Sequence, residues 1–439
     1  MNTRGGRLAA SVLLLSTVAT TAPFASAAQS IGTAGRVDPI APHEIDYRLL
    51  LIGDAGAPHP DGEPALHALN ARARELPGKT TAVFLGDNVY ETGMPERGPM
   101  DDTAVEEVLD EVLLNLYESR ADAEKRLNAQ IVAVTAAGAN AVFVPGNHDW
   151  DQFGVGGWDR VKHLGTYIAE LQLVAESDIV LAPAGGCPGP VVMDLGTRLR
   201  LIAIDTQWWL TPEGGRPSPE ENPTGCPHLT ETAVRRGLEH ALLSAGDRES
   251  VVVAHHPIQS IGPHGGHFPW HVHLFPIQML SSYVPFVAHW IPLPVLGSAM
   301  VWSRRWLSPS VQDFSHPANR RMREDLVISM EIARRGGRAP LIFAAGHDHS
   351  LQVFEERFGP DYSLVSGLGS SAKASQVGDA DDAIFAHSDG ERPGLMELDV
   401  AVDGRVRLAV FVWDPDERRP VEVFARDLTA ERPRTSPVP

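Results

Sequence analysis

Leu49-Leu50-Leu51-Ile52-Gly53-Asp54-Ala55-Gly56 is an apolar run that stops on a glycine and a carboxylate. Four apolar residues without alternation fit a strand buried on both faces, and the flanking glycines let the backbone turn sharply around Asp54. The same grammar recurs down the chain. Thr81–Leu85 runs into Gly86-Asp87-Asn88-Val89-Tyr90, and Ala141–Val144 runs into Gly146-Asn147-His148-Asp149. Val251–Ala254 runs into His255-His256-Pro257, and Leu341–Ala345 into Gly346-His347-Asp348-His349. A sixth run, Leu199–Ile204, lies among them. In α/β sheets ligands bind beyond the carboxyl ends of strands, so five such loops can converge on one crevice.

Helical patterns separate some of these runs. Thr103–Leu127 carries apolar residues at 105, 108, 109, 112, 113 and 116, and Met322, Leu326, Met330 and Ala333 follow the same spacing. The alternation predicts a layered α/β domain. Taken singly, a Gly-Asp pair is a turn and a lone histidine is a core or surface residue. Together the five loops offer carboxylate, amide, imidazole and phenolate donors, a mixture suited to a hard trivalent ion beside a divalent one. Two ions about 4 Å apart form a clamp for in-line displacement at phosphorus.

The ordered set GDxG, GDxxY, GNH(D/E), VxxH and GHxH resembles that of the purple acid phosphatases, within the calcineurin-like metallophosphoesterase superfamily. It is most similar to the small tartrate-resistant acid phosphatase type. The resemblance runs from about residue 47 to about 370 and includes Gly369. It implies a four-layer fold of two packed mixed β-sheets flanked by helices, with the domain spanning 45–415 and a C-terminal tail at 416–439. It implies Asp54, Asp87, Tyr90 and His349 as ligands of Fe(III). Asp87 would bridge to a divalent ion (Fe, Zn or Mn) completed by Asn147, His255 and His347. Val252 and Val253 place VxxH on His255 and His256 respectively, and the family's His-x-Pro pattern selects His255 through Pro257. His148 and His264 are the implied contacts to phosphate and to the leaving group. For His264 the alternative is membership of a histidine-rich stretch with His255, His256, His267, His271 and His273.

The implied activity is hydrolysis of phosphate monoesters by metal-activated hydroxide. A phosphodiesterase acting on lipid head groups or nucleotides is the alternative, and a non-enzymatic secreted metal-binding protein is a third. With 37 Lys and Arg against 56 Asp and Glu, the formal charge of −19 argues against nucleic acid as a partner. A small phosphorylated substrate remains compatible, since a local metal charge outweighs a global one. Oligomeric state leaves no mark in the sequence.

Arg4 and Arg7, the uncharged Leu8–Val18 and Ala25-Ser26-Ala27 read as an export signal over 1–27, implying a periplasmic or extracellular protein. Cys187 and Cys226, both in Gly/Pro-rich contexts, are then expected to form one disulfide. Residues 257–320 stand apart as a Pro-rich apolar insertion. His273–Trp302 holds no Asp, Glu, Lys or Arg and is broken by Pro276, Pro285, Pro292 and Pro294. Four prolines speak against a spanning helix. The segment either packs on the domain or forms a lid or membrane-facing loop, with 268–302 as the contacting stretch.

Overall fold

The computed structural model describes residues 37–97, 119–152, 156–277, 291–378 and 382–430. The segment expected to be an export signal and most of the helix expected over 103–127 lie outside them. In the first sheet, β1 (Ile45–Ile52), β2 (Thr80–Phe84), β3 (Asn140–Phe143) and β4 (Ile179–Leu181) are parallel neighbours. The antiparallel strands β12 (Gly394–Ala401), β13 (Val406–Asp414) and β14 (Arg419–Asp427) extend it from β1. In the second sheet, β6 (Leu199–Ala203), β7 (Glu249–Val253), β8 (Ile342–Ala345) and β10 (Tyr362–Ser366) are parallel. There β5 (Val191–Leu195), β9 (Leu351–Glu355) and β11 (Ala383–His387) complete the order β11-β9-β10-β8-β7-β6-β5. The two mixed sheets expected from the sequence are present, and all six apolar runs fall on strands.

Alternation sorts each parallel strand between two cores. Leu49, Leu51, Val83, Val142, Leu201, Val251, Val253 and Ala344 meet between the sheets. Their neighbours Leu50, Ile52, Phe84, Phe143, Val252 and Phe343 face outward beneath helices. Helices α1 (Pro64–Ala73), α2 (Arg120–Thr135) and α3 (Gly157–Gln172) cover the first sheet, while α4 (Glu231–Leu243) and α6 (Pro317–Arg335) cover the second. Phe84 and Phe143 stack at 4.4 Å under the first helical layer. The order is helix, sheet, sheet, helix.

The expected tail from 416 is corrected in its first part. Residues 419–427 form the edge strand β14, with Val410 opposite Phe424 and Leu408 opposite Arg426. Phe424 and Leu428 are buried in the inter-sheet core, so the domain closes later than 415. A charged turn, Asp416-Glu417-Arg418-Arg419, masked the strand in the sequence. Cys187 and Cys226 form the disulfide, closing a loop of sequence separation 39. Within 257–320 the described residues form a short helix at Trp270–Leu274 and α5 at Pro294–Leu307. Among the described residues no helix is long and apolar enough to cross a membrane.

Candidate metal centre

Each expected ligand follows the carboxyl end of a parallel strand. Asp54 follows β1, Asp87 and Tyr90 follow β2, and Asn147 follows β3, all in the first sheet. His255 follows β7, and His347 and His349 follow β8, in the second. The loops meet because glycines let them. A Cβ at Gly86 would stand 2.4 Å from His255 Nδ1, and one at Gly346 would stand 2.6 Å from Asp54 Oδ2. Asp54, Asp87 and His347 have φ of 60°, 55° and 71°, a left-handed conformation that side chains rarely adopt and that clusters at functional sites.

One group of donors gathers Asn147, His255 and His347. His255 Nε2 lies 2.7 Å from Asn147 Oδ1, and His347 Nδ1 lies 3.0 Å from that oxygen and 3.1 Å from His255 Nε2. The far nitrogens are committed elsewhere. His255 Nδ1 donates to the Leu85 carbonyl at 2.8 Å, and His347 Nε2 donates to the Gln312 carbonyl at 3.1 Å. Those bonds set the tautomers, leaving the lone pairs of two imidazoles and an amide oxygen facing one another. Burial and the neighbouring His264, His256 and His255 keep His347 well below the usual imidazole pKa, so it is neutral as a ligand must be.

The second group gathers Asp54, Tyr90 and His349 on the other side of Asp87. Tyr90 Oη lies 3.1 Å from Asp54 Oδ1 and 3.2 Å from His349 Nε2, whose Nδ1 donates to the Lys373 carbonyl at 2.6 Å. Burial and the carboxylates of Asp54 and Asp87 push the Tyr90 phenol well above its usual pKa. A cation in this group reverses that field and favours phenolate. Asp87 lies between the groups, with Oδ1 3.4 Å from His255 Nε2. Burial alone would raise its carboxyl, but the His255 and His148 imidazoles and the His148 N–H bring it down to about 2. This donor set fits two ions sharing one carboxylate.

His256 belongs by distance to the histidine group, since its donor atom falls within 4.8 Å of those of His255 and His347. It is not free to coordinate. Its Nδ1 bonds Thr206 Oγ1 at 2.8 Å and its Nε2 bonds Gln312 Oε1 at 2.7 Å.

His148 and His264 flank the cluster and are partly exposed. The His148 ring packs 4.4 Å from Tyr90, with Nδ1 2.6 Å from the Glu91 carbonyl. The His264 ring packs 4.1 Å from His347, with Nδ1 2.8 Å from Asp313 Oδ1. Asp313 also accepts from Arg304 Nε at 3.0 Å and Ser308 Oγ at 2.5 Å. Burial opposes its ionisation, but the His264 and Arg304 hydrogen bonds hold its carboxyl far below the usual range.

The residues that sequence reasoning missed lie around the ligands. Asp149 accepts from the N–H groups of Asn88, Val89 and Gly146, tying the second and third loops together. Burial and the Asp87 charge raise its pKa to about 8 against those donors. Gln312 and Asp313 come from a loop with no motif. The one available signal was that Asp313 is the first carboxylate after Glu249.

The profile of the calcineurin-like phosphoesterase family matches residues 47–279. The chain belongs to the calcineurin-like phosphoesterases. The matched part of this phosphoesterase carries Asp54, Asp87, Tyr90, Asn147, His148, His255 and His264, while the loop of His347 and His349 lies beyond it. Members of the family hold a dinuclear metal centre, and the two donor groups are its candidate ligands here. Among solved structures it is similar to one titled as GAP50, the anchor in the inner membrane complex of Plasmodium. The two share 12% identity over 87% of this chain and 88% of that one, with a TM-score of 0.43. A structure of PhoD shares 11% identity over 90% of this chain and 73% of that one, with a TM-score of 0.44. No curated protein matches the chain by sequence.

Proposed function

We propose that this phosphoesterase is exported and hydrolyses phosphate monoesters in the manner of a purple acid phosphatase. The observation that carries the reading is the arrangement of Asn147, His255 and His347, three lone-pair donors within 3.1 Å of one another beside a buried carboxylate. Neutral acceptors do not crowd together in a folded protein without a cation to face. Asp54, Tyr90 and His349 are the ligands proposed for Fe(III), and Asn147, His255 and His347 those for a divalent Fe, Zn or Mn, with Asp87 bridging. Such a pair supplies Lewis-acid activation of water and a clamp on the phosphoryl oxygens.

The chain supplies the rest. His148 stands at the rim as a donor to the phosphoryl group. His264, its Nδ1 fixed by Asp313, has Nε2 left to protonate the departing alkoxide. Export is supported by the N-terminal charge and apolar pattern and by the Cys187–Cys226 bond.

The test is initial rates on matched aryl phosphate monoester and diester substrates from acidic to neutral pH, with metal content measured on the same preparations. A dominant monoester rate with an acidic optimum is expected, together with loss of both activity and divalent metal in Asn147→Ala and His347→Ala. Activity surviving both substitutions refutes the assignment. Dominant diester cleavage keeps the centre and moves the substrate class. Tyr90→Phe is expected to abolish the visible phenolate-to-iron absorption of the metal-loaded protein.

A further inference from the structure

Helix α5 wears its amphipathicity the wrong way round. Gly297 and Val301 are buried against the domain, and a Cβ at Gly297 would stand 2.3 Å from the His273 carbonyl. Arg304 and Ser308, one and two turns on, reach the Asp313 carboxylate. The opposite face is apolar and turned to solvent. Val295 is 84% exposed, Trp302 57% and Trp306 60%, and with Ala299 they fall at i, i+4, i+7 and i+11 on one stripe. The stripe is about 16 Å long at the helical rise per residue. Leu296 and Leu307 flank it, both exposed. Nearby in sequence, Trp270 is 71% exposed at the start of a short helix that packs on α5.

An apolar face of this kind needs a partner, and the charge distribution says which. No carboxylate side chain occurs between Glu249 and Asp313, in a chain whose net charge is −19. The basic side chains of that interval are Arg304, turned inward to Asp313, and Arg305, which is exposed with its guanidinium 5.6 Å from the Trp306 ring. Elsewhere the acidity of the chain repels an anionic surface. Here 63 consecutive residues contribute no carboxylate, and a cation stands beside an indole. Tryptophan and arginine beside an aliphatic stripe are the side chains that settle at the headgroup level of a bilayer.

We infer that the outward face of α5, with Trp302 and Trp306 as anchors and Arg305 as the electrostatic contact, docks the protein onto an anionic phospholipid surface. The helix lies in the interface plane and does not cross it. This inference stands on the surface alone and holds whatever ester the metal centre cleaves.

The test is co-sedimentation of the full chain with vesicles of phosphatidylcholine, alone or with about one third phosphatidylglycerol. Using the full chain makes any contribution of Leu8–Val18 common to every variant. Binding to the anionic vesicles is expected, weakened about tenfold or more by Trp302→Glu with Trp306→Glu and retained in the Phe pair. Arg305→Ala is expected to shrink the preference for anionic over neutral vesicles. Leu173→Glu, at an 86% exposed apolar residue on a different helix end, is expected to change nothing. Circular dichroism and metal content establish that each variant is folded.

Three results overturn the inference. Absence of vesicle binding is one. Binding unchanged in the double Glu variant is another, because it assigns the contact elsewhere. The third is concentration-dependent association without vesicle binding, lost in that variant, which assigns the stripe to a second copy of the chain.

Discussion

Replacing Asp313 by asparagine separates the proposed role of His264 from that of the proposed metal centre. The carboxylate takes His264 Nδ1 at 2.8 Å, Arg304 Nε at 3.0 Å and Ser308 Oγ at 2.5 Å, all from a position that is 1% exposed. An amide of the same shape has one acceptor oxygen and a pair of donors, so it cannot accept from all three. The imidazole loses its anchor and its bias towards presenting Nε2. A positioned general acid contributes about 10²–10⁴ in rate, and a displacement of about 1 Å can forfeit about 10². We therefore expect kcat on an alkyl phosphate to fall about 100-fold, equivalent to about 2.7 kcal/mol of barrier. Nitrophenolate departs without a proton, so kcat on nitrophenyl phosphate is expected to fall no more than about threefold. The assay is the ratio of the two kcat values, with metal content measured alongside. Equal losses on both substrates, or loss of metal, would place Asp313 in scaffolding and refute the reasoning.

The same substitution has a stability signature. The folded-state pKa of Asp313 is depressed, so its contribution is complete above the unfolded value near 4 and is lost as pH falls towards the folded one. The gap in unfolding free energy between wild type and Asp313→Asn should therefore shrink below about pH 4, by at most about 1.4 kcal/mol per pH unit. A gap independent of pH sinks this account. Replacing both cysteines by serine removes a loop constraint of sequence separation 39 and is expected to cost about 4 kcal/mol by chemical denaturation under oxidising conditions. Reductant should impose the same loss on the wild type and none on the variant. Arg48 is 4% exposed and bonds Asp399 at 2.6 and 3.0 Å while lying 3.2 Å from Glu397. Arg48→Met leaves those buried carboxylates short of a cation, and a loss of about 3–5 kcal/mol is expected. A cost under about 1 kcal/mol would show that Arg72, which also pairs with Glu397, suffices.

What could be read from the sequence was local. Each apolar run carries its own strand signal, and each proposed ligand sits within a few residues of a strand end, so Asp54 or His347 is visible without the fold. The four layers came through family resemblance, because hydrophobic runs do not say which strands pair or that β1 lies beside β12. Strand β14 was hidden because a charged turn precedes it and Arg419, Glu422 and Arg426 break up its apolar pattern. Asp313 and Gln312 were hidden for another reason. Their importance is conferred by His264, His256 and His347, which lie 35 to 56 positions away on other loops. The expected reading of 257–320 as one apolar insertion hid a division of labour, since α5 sends Arg304 inward to the site and its indoles outward.

The two sheets contribute to the proposed metal centre in nearly equal halves, with Asp54, Asp87, Tyr90 and Asn147 from one and His255, His347 and His349 from the other. An ion held between them is a rivet through both plates. Mass action then makes metal supply a determinant of how much folded protein persists, as well as of how active it is. Starved of metal, the protein would then be lost to proteolysis sooner than it would accumulate in an idle, intact form.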